Sequence, residues 1–151
     1  DKFIAMRERE GEQLKKDICE KADHILELTE FIEERSPETV REYNEKLKGR
    51  IRDLIGDVKV DEQRLLTEAA IYADKVAVDE ETVRLHSHID QLKSMFEDDS
   101  AIGRKMDFLV QEINREANTI GSKASDLEIT SRVLDIKGNV EKIREQVQNI
   151  E

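Results

Sequence analysis

With 151 residues, 4% aromatics, no tryptophan, one proline and 40% charged side chains, the chain has the composition of a single nearly all-helical domain with many solvated faces. Its net charge of −11 argues against a broadly basic nucleic-acid surface, its lone Cys19 excludes an internal disulfide and points to the reducing cytosol, and its apolar runs fall far short of the roughly 18 residues a membrane span needs. A secretory signal, a Walker loop, a dinucleotide glycine fingerprint, a zinc cysteine pattern and a serine nucleophile elbow are all missing, so neither a membrane nor a small organic cofactor is expected.

Helical periodicity begins almost at once. Leu14, Ile18, Ala22, Ile25 and Ile32 recur at helical spacing, and Pro37 predicts a stop near Glu34. Ser36 as N-cap and Pro37 at the first helical position then restart a second helix on Val40, Tyr43, Leu47, Ile51 and Leu54, with Gly56 as C-cap. Residues 1–56 therefore read as a helical hairpin projecting from a bundle made by residues 57–151. A third helix follows from about Asp61 to Val78, and Asp79 caps a fourth that carries Leu85, Ile89, Leu92 and Phe96. The tract Glu97-Asp98-Asp99-Ser100 interrupts the chain before a fifth helix from Gly103, which Gly121 and Ser122 punctuate. Ser125-Asp126-Leu127-Glu128 reads as a capping box that opens the last helix. There, Val133, Ile136, Val140, Ile143, Val147 and Ile150 form a heptad seam, whose partner is either the first helix or the same helix of another subunit. The start at Asp1-Lys2-Phe3, with a helix already under way, reads as a fragment preceded by a further domain.

The fifth helix is the one that core packing alone does not explain. Met106, Leu109, Val110, Ile113, Ala117 and Ile120 form its apolar stripe, but the opposite face carries Arg104, Phe108, Gln111, Arg115, Asn118 and Ser122 rather than plain Lys, Glu and Ala. An exposed aromatic between guanidiniums offers a stacking surface and phosphate forks together. A subunit contact would use the same residues. Glu112 and Glu116, one turn apart, are either a salt-bridge stripe or oxygen ligands for Mg²⁺ or Mn²⁺. On the fourth helix, His86 and His88 point about 160° apart and cannot share a metal. Glu81, Arg84 and His88 stand at i, i+3 and i+7, which lets a carboxylate orient a guanidinium or an imidazole that works as acid or base; a surface ion-pair ladder has the same spacing.

From Gly103 to Lys123 the chain reads G-R-K-M-D-F-L-V-Q-E-I-N-R-E-A-N-T-I-G-S-K, and here it resembles the YicC/YloC-like family of bacterial proteins. Glu80-Glu81-x-x-Arg84-Leu85-x-x-His88, Met6 to Gly11 and the closing Ile143 to Glu151 also resemble that family, and His86 falls outside the pattern. The resemblance implies a metal-dependent endoribonuclease of the cytoplasm that assembles as a homo-oligomeric ring, with this chain as its mainly helical C-terminal part. Placed on these positions, chemistry assigns catalytic work to His88, Glu81, Arg84 and Arg115, RNA contacts to Arg104, Phe108, Gln111, Asn118 and Lys123, and a divalent Mn or Mg ion to Glu112 and Glu116. The competing reading is a helical oligomerisation or adaptor module without chemistry, built on the heptad seam and the Arg104/Phe108 face.

Overall fold

The computed structural model describes residues 2–55, 61–97 and 102–150. Helix α1 (Lys2–Ile55) is followed by α2 (Glu62–Val76), α3 (Asp79–Ser94), a 3₁₀ turn (Met95–Glu97), α4 (Ile102–Lys123) and α5 (Leu127–Ile150). The expected all-α class is what forms, with no strand among the described residues. Nor is any of their helices long and apolar enough to cross a membrane.

The expected break at Pro37 does not occur, because α1 runs through it as one 54-residue helix. Proline inside a helix removes one hydrogen bond and crowds the preceding turn, at a cost of about 3 kcal/mol. That cost is offset by what flanks it. Ile25, Leu28 and Ile32 are buried one to three turns earlier, and each such side chain contributes about 1.5–3 kcal/mol. Arg35 grips Asp126 and Glu128 at the start of α5 and Glu38 and Glu42 on α1 itself, straddling the proline with ion pairs. A projecting hairpin does exist, but its arms are the second half of α1 and α2, where Tyr43 and Tyr72 stack at 3.7 Å. Gly56, expected to end the first arm, lies outside the described residues, as do Asp98, Asp99 and Ser100.

The core is built by the middle of α1 with α3, α4 and α5. Ile18, Ala22, Ile25 and Ile32 share one buried cluster with Leu85, Ile89, Leu92 and the α4 and α5 stripes, so the division at residue 56 does not separate two cores. The heptad seam is satisfied within the chain: Val133, Ile136, Val140, Ile143 and Val147 are all buried against α1 and α4. Gly121 is helical rather than a stop. A Cβ there would meet Val133 Cγ1 at 3.2 Å, so its missing side chain lets α4 and α5 approach closely. Two caps also shift by one residue. Asp126, not Ser125, accepts from the Ile129 amide to start α5, while Ser125 meets the Tyr72 hydroxyl; and Asp79 is already helical, behind an N-cap at Val78 that makes no side-chain bond.

Candidate metal centre

Helices α3 and α4 lie antiparallel, and their shared seam is a ladder of polar pairs. Lys123 Nζ donates to Glu81 Oε1 at 2.7 Å, Arg84 Nε donates to Glu116 Oε1 at 2.8 Å, and His88 comes next to Glu112 and Glu116. Leu85, Ile89 and Leu92 turn α3 into the core, which leaves Glu81, Arg84 and His88 on the flank facing α4. On α4, Glu112 and Glu116 are one turn apart and project from the same side.

One donor atom each from His88, Glu112 and Glu116 lies within 4.8 Å of the others. Both ring nitrogens of His88 are buried and lack any hydrogen-bond partner, an arrangement that is costly for an imidazole unless something else binds it. Two carboxylates and one imidazole converging on that gap fit a divalent ion. The expected separation of the two histidines holds as well: His86 turns the other way and pairs with Glu33 of α1, and on the same flank Lys93 pairs with Asp23.

The rest of the ladder holds the triad in place. Burial alone would push the Glu81 carboxyl up, but the Lys123 hydrogen bond, its own backbone amide and the charges of Lys123 and Arg84 prevail, so it sits below the usual carboxylate range. The bond to Glu116 raises the Arg84 guanidinium further. Of the two groups that Glu81 was expected to orient, the guanidinium of Arg84 lies 3.7 Å away while the His88 imidazole has no such partner, and the Glu81 carboxylate is held chiefly by Lys123. Lys123, also expected to meet RNA, is held by Glu81 and by the Ala77 carbonyl at 3.2 Å.

The proposed RNA residues fan out along one side of α4. Arg115 is 74% exposed and stands beside Glu112 at 3.6 Å. Helical periodicity sets Phe108 and Arg115 about 40° and 60° round from Glu112, Arg104 about 80°, and the exposed Gln111 and Asn118 about 100–120°, progressively farther from the triad. Met95, which helical spacing already places on the His88 flank, and Gln91, which sequence reading did not single out, stand at i+7 and i+3 from His88 and line a shallow groove with Arg104, Lys105, Phe108 and Leu109. The i+3 step from His88 was the signal that could have found Gln91 as well.

A family model described as endoribonuclease YicC-like, C-terminal, matches residues 32–151, which include the whole ladder. The chain belongs to this family. A protein of Clostridioides difficile (strain 630) named "Probable endoribonuclease YicC" is 52% identical over 151 residues, covering 99% of this chain and 52% of that protein. A Haemophilus influenzae protein of the same name is 37% identical over 149 residues, covering 99% of this chain and 51% of its own length. The chain thus spans about half the length of the curated YicC relatives it matches.

Proposed function

We propose that this chain is the metal-holding part of an endoribonuclease that cleaves structured RNA with the help of a divalent ion. The observation that carries the reading is the pair of partnerless, buried nitrogens of His88 set between Glu112 and Glu116. His88, Glu112 and Glu116 would hold the ion, and one imidazole beside two carboxylates favours Mn²⁺ over the more strictly oxygen-seeking Mg²⁺. A bound ion supplies Lewis-acid polarisation of the scissile phosphodiester. Arg115 and Arg104 hold flanking phosphates in forked hydrogen bonds, and Arg84 keeps Glu116 turned into the site. In this role His88 is a ligand rather than the proton-handling group that its spacing alone allowed. A cytoplasmic homo-oligomer with RNA as partner completes the proposal.

The adaptor reading loses its main support, since the heptad seam is buried within the chain; only the Arg104/Phe108 face remains for it. The deciding experiment is a Mn²⁺ titration of RNA cleavage by the complete gene product and its His88→Ala and Glu112→Gln variants. Both variants should need at least tenfold more metal, with turnover partly recovered at saturation. If His88→Ala lowers turnover by roughly 10²–10⁴ at every metal concentration without changing the metal requirement, His88 is an acid–base group instead. Wild-type cleavage that survives thorough chelation would refute the metal reading.

A further inference from the structure

We infer that the groove where Phe108 meets Gln91 and Met95 is a subsite for one unpaired nucleobase next to the scissile phosphate, so cleavage falls at unpaired positions of the RNA; this rests on the metal-dependent ribonuclease reading. Phe108 is 61% exposed, outside the buried cluster, and its ring makes no aromatic or cation contact among the described residues. It stands one turn before Glu112 and about 40° outward from it, so the ring lies roughly 5–6 Å along the helix from the triad. That step is on the scale of one nucleotide in an extended strand. The groove floor of Met95 and Leu109 is apolar, while Arg104 and Lys105 at its edge supply positive charge within a chain of net charge −11. Gln91, whose Nε2 donates to Ser87 Oγ at 3.1 Å, adds an amide with a second N–H and a carbonyl oxygen able to meet a base edge.

The polar ladder distinguishes the two ends of the seam. Beyond Glu116 the seam is closed by Arg84, Glu81 and Lys123, each committed to its neighbour. Toward Phe108 no such pair links α3 and α4 among the described residues, so a strand crossing the triad has this direction in which to place a base. A base inside an A-form duplex already has both faces stacked and offers none to a ring. Phe108 therefore selects a base that is already free, or one swung out at a loop or bulge.

The test uses the complete gene product and a short unstructured oligoribonucleotide containing 2-aminopurine, whose fluorescence falls on stacking, with binding read in Mn²⁺ and in chelator. A fully paired duplex of the same sequence serves as comparison. Phe108→Ala should lose the quenching and weaken single-strand binding by about tenfold, Phe108→Trp should retain both within about twofold, and duplex binding should not change. Unaltered quenching in Phe108→Ala, or equal weakening for single strand and duplex, would overturn the inference while leaving metal-dependent cleavage standing. Loss of cleavage on chelation tests the ribonuclease reading separately, because quenching does not require turnover. If sedimentation shows both Phe108 variants dissociating an oligomer, with RNA affinity following the assembly and not the ring, the face is a subunit contact and the inference fails.

Discussion

Replacing Lys123 by Met removes, among the described residues, the only cation hydrogen-bonded to a carboxylate that is 4% exposed. Losing a partner from a fully buried charge costs about 3–5 kcal/mol, and a charge-assisted hydrogen bond alone contributes about 1.5–3 kcal/mol. Here the lower figure governs. Lys123 is itself 34% exposed, so water screens part of the pair, and Arg84 remains 3.7 Å from Glu81. The expected loss is about 2 kcal/mol near neutral pH, or about 4–8 °C in Tm for a domain of this size. Its pH dependence follows from the direction of the Glu81 shift. In the wild type the folded carboxyl lies below its ordinary value of 4.5, so its stabilisation is complete above that value and is lost as pH falls through the folded one. Without Lys123, burial prevails and the carboxyl rises, so the variant's deficit shrinks as pH falls toward 4.5. Urea unfolding followed by helical circular dichroism between pH 4 and 8 measures both. Lys123→Met/Glu81→Met should recover most of the loss, leaving only the missing bond to the Ala77 carbonyl. A deficit below about 0.5 kcal/mol that does not vary with pH would refute the claim that this pair matters.

Two further outcomes test the fold. Pro37→Ala should stabilise the protein by about 1–2 kcal/mol, since it restores a helix hydrogen bond and loses only the proline's restriction of the unfolded chain; a hairpin broken at Ser36 would instead be indifferent to it or weakened, and denaturation midpoints distinguish these. Arg35 holds the Asp126 and Glu42 carboxyls below their usual range, so the wild type should lose stability as pH falls below about 4, and Arg35→Met should flatten that acid limb in a plot of Tm against pH.

Apolar spacing made the core legible: every residue of the predicted α4 stripe is buried, and so are Leu85, Ile89 and Leu92. The site was half legible. One turn between Glu112 and Glu116, and the 160° between His86 and His88, follow from helix geometry alone and survive in the structure. The register of α3 against α4 does not, because it depends on how two separate helices slide, and it is that register which gives Lys123 to Glu81 and leaves His88 beside the glutamates. Pro37 misled for a related reason: the local rule was sound, but the ion pair from Arg35 to Asp126, 91 residues further along the chain, and buried neighbours outweighed it.

The unbroken α1 also has mechanical consequences. Beyond Pro37 the helix continues for about 27 Å to Ile55, at 1.5 Å per residue, with α2 strapped alongside as a brace. Pro37 is the joint of lowest stiffness along that lever, lacking one rung of its hydrogen-bond ladder. Each degree of flexure there carries the far end about 0.5 Å sideways. Arg35 clamps the near side of the joint to α5, so a load applied at the tip is delivered to the start of the helix that packs against α4, which carries Glu112 and Glu116.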